Sequence, residues 1–488
     1  MNLSKSKYCN GLQCKKMLWL YKNKPTEKEE VNNQSVFDNG NDVHEVARKL
    51  LGEDVNIPFN EDLTQMIKDT KEVMKQEKVI ITEASFSYEN NFCSVDILKK
   101  EGNTYEIYEV KSSTELKDVY IDDVSYQYFV LTSLGLKVEK CYVAILNNRY
   151  VRKGKLDLNQ LFKKIDVTDE VVSKQAQVKQ MIKDMNKYME QKKEPQDDIG
   201  IHCFKPYKCP FFKYCTRHLP ERNIFEINEI NVNEKLKLYV EGIVSLEDLL
   251  KEDISNEAKQ HIEYELYDKE DYIDKKSIKE FLNTLSEPLY FLDFETFALP
   301  IPKYDGTRPY QQVPFQYSLH YIEEGKLYHK EFLAESGVDP RKLIAESLVR
   351  DIPKNVPVLA YYMSFEKGRI KELAETFPDL KDHLMSIHDN IKDLIVPFKN
   401  RSYYAKGMHG SASIKYVLPA MFPNDESLNY KNLELVHNGD EAMNIYARLG
   451  EYSKEEQEYI RERLLKYCEL DTYAMVKIYE KLKQIVKS

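Results

Sequence analysis

Hydrophobic positions change their period several times along the chain, and each change marks an element. Between 33 and 52, Phe37, Val43, Val46, Ala47 and Leu50 fall near helical spacing, with Asp38 and Asn39 as possible caps. A second helix is predicted over 62–78. The period then shortens: Val79–Ile81, Ala84–Phe86, 92–98 and 104–110 read as strands, with Gly102-Asn103 turning between the last two. A helix over 117–134, a strand over 141–146 and a long charged helix over 168–192 follow. Residues 217–285 are mostly helical and charged, with a hairpin turning at Gly242, and read as a connector. From 286 strands return: 288–294, then 315–321 and 327–332 paired around Glu323-Glu324-Gly325, a helix over 343–352, a strand over 356–361 and a helix over 365–376. A last long helix runs from about 454 to 486. The pattern predicts an α/β protein in three parts: a domain over 1–216, a helical connector over 217–285 and a second domain over 286–488.

A chain of 488 residues allows roughly two to four domains. No stretch approaches a membrane span, and Met1–Lys7 is followed by no signal core. The expected location is cytoplasmic, with no membrane partner, and thiols stay reduced there. Eight cysteines then point to metal before disulfide. A net charge of −10 argues against a general nucleic-acid coat but not against a nuclease, which gathers carboxylates at metal sites and keeps local basic tracks. Lys15, Lys16, Lys22 and Lys24, interleaved with Trp19 and Tyr21, form a candidate track; a solvated helix face accounts for them equally well.

Three cysteines, Cys203, Cys209 and Cys215, stand in a C-x5-C-x5-C run, with Cys14 as fourth member and Cys9 as its rival. Four thiolates suit an iron–sulfur cluster or zinc. The plain alternative is loop thiols that bind nothing. Cys93, Cys141 and Cys468 read as core or surface thiols.

Asp96 on one strand and Glu109-x-Lys111 on the next bring three charges together, since residues two apart share a strand face. Two carboxylates bind Mg²⁺ through oxygen, and a lysine stabilises developing charge. Glu83 and His44, the latter in Gly40-x-x-x-His44, are further members, and Gln127 lies on the following helix. The bare pattern is weak, but its context resembles the RecB-type branch of the PD-(D/E)XK nucleases that carries an iron–sulfur staple. Cys14, His44, Asp96, Glu109, Lys111, Gln127, Cys203, Cys209 and Cys215 match in order over roughly 1–216. The resemblance implies a restriction-endonuclease-like fold, Mg²⁺ or Mn²⁺ on His44, Asp96 and Glu109, catalytic roles for Lys111 and Gln127, and a 4Fe–4S cluster on Cys14, Cys203, Cys209 and Cys215. Zinc is the other reading, because family members often space two of the late cysteines more closely.

Asp293 and Glu295 leave the apolar run Leu289–Leu292 on a common face, where buried acids are costly without a cation. Glu366 opens a helix after a strand, and Tyr467 and Asp471, four apart, share a helix face. This order resembles the DnaQ-like 3′–5′ exonucleases of the DEDD class, in the tyrosine-bearing subtype, over about 286–488. The resemblance implies an RNase H-like fold with Mg²⁺ or Mn²⁺ on Asp293, Glu295, Glu366 and Asp471, and Tyr467 orienting the attacking water. The second motif usually presents Asp, so Asp389 and Asp393 compete with Glu366. Lys406, Gly407, His409 and Gly410, ahead of Ser411–Ala420, form either a phosphate-side loop or a plain surface loop. The combination resembles a family of bacterial two-nuclease proteins whose C-terminal half is catalogued as a domain of unknown function. The implied substrate is nucleic acid, DNA favoured over RNA, in repair, recombination or defence. The alternatives are a DNA-end-binding or repair-scaffold protein with an inactive site, and a zinc-bound structural first domain carrying one working exonuclease.

Overall fold

In a computed structural model the chain forms two units, Met1–Pro220 with Leu299–Tyr310, and Glu221–Ala298 with Gln311–Ser488. The structure describes residues 3–29 and 34–488, the side chains of 34–39 and 41 excepted. The candidate core residue Phe37 and the candidate caps Asp38 and Asn39 therefore lie outside the described side chains. Both units are mixed α/β. Among the described residues no helix is long and apolar enough to cross a membrane.

The first unit is built on strands β1 (Leu3–Ser4), β2 (Val55–Asn56), β3 (Lys78–Tyr88), β4 (Asn91–Glu101), β5 (Thr104–Lys111), β6 (Lys137–Leu146) and β7 (Phe162–Asp166). Their order is β2-β3-β4-β5-β6-β7, with β1 beside β4. β3, β4 and β5 form an antiparallel meander, and β6 runs parallel to β5. Helices α1 (Lys5–Gln13), α2 (Lys15–Asn23), α3 (Gln34–Ala47), α4 (Leu63–Val73) and α5 (Asp118–Ser133) surround this sheet in sequence. α5 makes the crossover that a parallel pair requires. It buries Val124, Val130 and Leu131 in one core with Val95, Ile107 and Val143. The predicted 168–192 helix is two helices, Thr168–Ser173 and Gln175–Met189.

Of the candidate basic track, Lys16 and Lys22 find partners within the first unit, while Lys22 and Lys24 are exposed. Trp19 and Lys16 are buried; Trp19 Nε1 donates to the Gln191 carbonyl at 2.8 Å, Lys16 pairs with Glu194 at 3.3 Å, and Lys22 donates to the Met189 carbonyl. Amphipathic lysines cover apolar surface with their stems while their heads find acceptors, and that is what this helix uses them for.

Two stretches depart from the predicted boundaries. Residues 299–310 belong to the first unit, where Arg152 Nη1 donates to the carbonyls of Pro302 and Lys303 and Arg152 N donates to the Thr307 carbonyl. The predicted connector belongs almost wholly to the second unit: Tyr264 and Ile278 join the same core as Leu289 and Phe291. Its hairpin turn at Gly242, φ 84°, stands as predicted.

The second unit carries β8 (Tyr272–Ile273), β9 (Leu289–Phe297), β10 (Val313–Glu323), β11 (Lys326–Leu333), β12 (Val358–Ala360), β13 (Ile391–Asp393) and β14 (Tyr403–Tyr404). Five form a sheet ordered β11-β10-β9-β12-β13, antiparallel across β11, β10 and β9 and parallel across β9, β12 and β13; β8 pairs with β14 apart from it. β9 is buried on both faces. Tyr290, Leu292 and Phe294 enter one core, Leu289 and Phe291 the other, which is why its sequence reads as an unbroken apolar run. The C-terminal helix Lys454–Lys487 starts from a capping box on Ser453 and Glu456.

Candidate metal centres

In the second unit Asp293 and Glu295 follow Phe291 on one face of β9, opposite Ser318 and Gln316 of β10. The C-terminal helix lies on that face. Gln316 Nε2 donates to the Leu464 carbonyl at 2.8 Å, and Cys468 Sγ lies 3.9 Å from Asp293. Asp471 follows within the next turn. Carboxylate oxygens of Asp293, Glu295 and Asp471 lie within 4.8 Å of one another.

Glu366 is 2% exposed, and its Oε2 has no hydrogen-bond partner among the described residues. Burial pushes it up to about 8. Burial likewise raises Asp293, with the charges of Asp471, Glu295 and Glu366 adding to it, and raises Glu295, where Asp471 adds most. Asp471 is pushed up by burial to about 6, although Tyr430 and Lys415 pull it down. Asp293, Glu295 and Asp471 thus stand close together with too little positive charge, Glu366 lies within electrostatic reach but outside that group, and an oxygen-only donor set of this kind fits Mg²⁺ or Mn²⁺.

Of the three candidates for the second motif, Glu366 is the one whose charge reaches Asp293 and Glu295. Asp393 accepts from the backbone N–H of Tyr362 and Met363 at 2.9 and 3.1 Å, holding Tyr362 at φ 76° ahead of the helix Ser364–Thr376. Asp389 is exposed and pairs with His388.

Tyr467 is buried, and burial drives its phenol far above the ordinary range. Its ring lies 6.0 Å from that of Tyr430, whose hydroxyl donates to Asp471 Oδ1 at 2.6 Å. Tyr430 escaped the sequence reading, since nothing in its short 3₁₀ turn, Tyr430–Asn432, has a period. It lines a cleft of about 540 Å³ together with Lys415, His437 and Asn438. Lys415 sits inside the stretch Ser411–Ala420, just after the residues read as a phosphate-side or plain surface loop. The residues before that stretch are occupied: His409 pairs with Glu265 at 2.6 Å, Gly410 N donates to the Tyr404 hydroxyl, and Gly407 packs on Ala420.

In the first unit the expected triad of Asp96, Glu109 and Lys111 is close but divided. Lys111 Nζ lies 2.6 Å from both Glu109 and Asp123, and Lys5 Nζ lies 2.9 Å from Glu109 and 3.5 Å from Asp96. Gln127 Nε2 donates to Glu109 Oε2 at 2.6 Å. Burial opposes ionisation of Glu109, yet Lys111 and Lys5 outweigh it and hold the carboxyl well below the usual range. Asp123 goes the other way, up to about 7, through burial and the Glu109 charge. The grouping that offers converging metal donors is His44, Glu83 and Asp96, within 4.8 Å of one another. Glu109 is not in that group. Ladder pairs Thr82–Ile97 and Ala84–Val95 leave Glu83 opposite Asp96 at φ 59°, a conformation a glutamate adopts at a cost and one that collects at functional sites. Asp96 accepts from Val110 N at 2.7 Å, which fixes its carboxylate between the strands. Lys5 and Asp123 were missed: one lies at the start of the chain, the other on α5 among residues that read as helix face.

Cys14 stands between α1 and α2, while Cys203, Cys209 and Cys215 stand in the segment after the Gln175–Met189 helix. Gln13 Nε2 donates to the carbonyls of His202 and Tyr207 at 2.8 and 2.7 Å, joining the two stretches, and Cys209 N donates to the Cys203 carbonyl. Burial pushes Cys203 up to about 11 and Cys209 to about 12, and both feel Cys14 and Cys215. Cys203 and Cys209 thus lie within electrostatic reach of Cys14 and Cys215, and four thiolates suit an iron–sulfur cluster or zinc, but among the described residues the four sulfurs are not one of the groups whose donor atoms lie within 4.8 Å of one another. The rival, Cys9, is elsewhere, close to Asp123, Lys111 and Lys5. Cys93, Cys141 and Cys468 are fully buried.

A family model described as a domain of unknown function, DUF2779, matches residues 290–413. The chain is 27% identical over 223 residues to the uncharacterized protein MG366 of Mycoplasma genitalium, covering 42% of this chain and 33% of that one. It is 26% identical over 229 residues to the MG366 homolog of Mycoplasma pneumoniae, covering 42% and 34%. The chain thus spans about a third of the length of the curated relatives it matches.

Proposed function

We propose that the chain is a metal-dependent nuclease with a hydrolytic centre in each unit, acting on nucleic acid with DNA favoured over RNA. The observation that carries the reading is the convergence of Asp293, Glu295 and Asp471, with buried Glu366 within electrostatic reach of two of them. The sheet beneath them supports it. Counted along the chain its order is 3-2-1-4-5, the first three strands antiparallel and the last two parallel to the first, the pattern of an RNase H-like, DnaQ-type domain. In the first unit, helix α3, the meander β3–β5, the crossover α5 and parallel β6 support a PD-(D/E)XK-type core.

Divalent cations, when bound on Asp293, Glu295, Glu366 and Asp471, supply the charge that stabilises attacking and leaving oxygens in an in-line phosphodiester displacement. The chain's own groups do the rest. Tyr430 fixes the Asp471 carboxylate through its hydroxyl, and Lys415 adds positive charge next to it. Buried Tyr467 keeps its proton and orients the attacking water. In the first unit His44, Glu83 and Asp96 offer nitrogen and oxygen donors to one cation. Lys111, held between Glu109 and Asp123, meets the developing charge, and Gln127 keeps Glu109 in place. Cys14, Cys203, Cys209 and Cys215 would hold a 4Fe–4S cluster, with zinc as the alternative, as a fastening.

One observation favours a second reading for the first unit: Glu109 is fully engaged by two lysines and a glutamine, which suits an end-binding module that does not cut. Digestion of end-labelled DNA and RNA with Mg²⁺ or Mn²⁺ separates the two. Lys111→Ala and Asp96→Ala are expected to abolish one activity and leave nucleic-acid binding and the other activity intact. If both variants cut like the parent on every substrate, the first unit binds without cutting.

A further inference from the structure

A second group of metal donors in the second unit has no part in the carboxylate site. His320 of β10 and His329 of β11 are direct cross-strand partners, their ring centroids 4.4 Å apart. Glu469 of the C-terminal helix completes the group: one donor atom from each of the three lies within 4.8 Å of the other two. His329 Nδ1 stands 4.0 Å from Glu469 Oε1. His320 is buried, His329 half-buried and Glu469 exposed, so the group opens to solvent on the glutamate side.

Hydrogen bonds behind the rings hold both imidazoles in place. Thr472 Oγ1, which lies 3.2 Å from the Glu469 carbonyl, is 2.8 Å from His320 Nδ1 and 2.6 Å from Ser318 Oγ. Ser318 Oγ in turn is 2.9 Å from His329 Nε2. Each imidazole therefore has one nitrogen tied to a hydroxyl. The nitrogens turned to the group are Nε2 of His320 and Nδ1 of His329, and the latter faces a carboxylate. Metal-binding histidines are commonly held in this way, with the second nitrogen donating to a fixed partner that sets tautomer and ring orientation.

We propose that His320, His329 and Glu469 form a site for a transition-metal ion of the zinc class, distinct from the carboxylate site. Two imidazoles and one carboxylate suit zinc, whereas the all-oxygen set at Asp293 suits Mg²⁺ or Mn²⁺. Three protein ligands leave a fourth position for water. Ligand atoms on a tetrahedral zinc lie about 3.3 Å apart, so the donor atoms, now within 4.8 Å of one another, must draw closer, and the exposed Glu469 side chain can turn towards the ion. The ion would clamp the β10–β11 hairpin to the C-terminal helix two residues from Asp471.

The test measures zinc bound by the full chain after equilibration with Zn²⁺ and removal of excess, for the parent, His329→Ala, Glu469→Gln and Asp293→Ala. The proposal expects one zinc equivalent to vanish in His329→Ala and to be weakened in Glu469→Gln, while Asp293→Ala keeps it. Zinc held by the thiols is common to all four proteins and cancels in the difference. Zinc should also raise the thermal midpoint of the parent more than that of His329→Ala, with the two proteins matching by circular dichroism beforehand. Equal zinc in the parent, His329→Ala and Glu469→Gln would overturn the site and leave a His329–Glu469 ion pair. Loss of the same equivalent in Asp293→Ala would assign it to the carboxylates and overturn it equally.

Discussion

Replacing the acids and phenols on the β9 face one at a time separates residues that hold charge from residues that aim it. Glu366 is buried with an oxygen that has no hydrogen-bond partner among the described residues, a state that a cation relieves. Glu366→Gln is therefore expected to stop exonucleolytic digestion, while Asp389→Asn leaves it unchanged. Normal digestion by Glu366→Gln would remove it from the ligand set. On the proposed reading Tyr467→Phe removes only a water-orienting hydroxyl, and such a group contributes about 10²–10⁴-fold, so a residual rate is predicted in single-turnover assays. Much of this site was legible in the sequence: Asp293 and Glu295 stand out because they end an apolar strand, and Tyr467 and Asp471 because they share a helix face. Tyr430 was not, since it reaches Asp471 from a short 3₁₀ turn. In the first unit Glu83 shows the limit more sharply. Val79–Ile81 and Ala84–Phe86 read as two pieces but form one strand, and the left-handed glutamate within it, opposite Asp96, needs the paired strand to be seen.

At the scale of elements, the C-terminal helix decides the second site, because it delivers Tyr467 and Asp471 to a sheet made elsewhere in the chain. Its start is capped by Ser453, whose hydroxyl accepts from Glu456 N while the Glu456 carboxylate accepts from Ser453 N. Ser453→Ala should cost about 1 kcal/mol in chemical denaturation of the second unit. Cleavage per folded molecule should be unchanged, since the cap lies several turns before Tyr467. A cap variant that folds normally yet loses cleavage would mean that the helix start takes part in the site. Element types and most boundaries were legible here because the helix and strand periods are long and regular. The 168–192 helix was over-extended because its charged pattern continues across the junction at Lys174.

At the scale of the molecule, the division into units was legible only in part. A reading in chain order cannot see that 299–310 leave one unit for the other, nor that Tyr264 and Ile278 belong to the core of β9. The thiols belong to this scale, since Cys14 stands near the beginning of the first unit's main stretch and Cys203, Cys209 and Cys215 near its end. Cys203→Ala is expected to lose the metal and to unfold the first unit selectively in hydrogen exchange, because such a site forms together with its fold. Anaerobically purified parent should be brown. Colourless protein with stoichiometric zinc would replace the iron–sulfur form by zinc, and metal-free thiols in folded protein would sink both.

The most direct measurement is the release of nucleotides from 3′-labelled single-stranded DNA, with Mg²⁺ or Mn²⁺, by the parent and by Asp293→Ala. The account predicts stepwise release by the parent, none without divalent cation, and none by the variant although it remains folded. Equal release by Asp293→Ala and the parent would contradict the carboxylate site as the seat of hydrolysis.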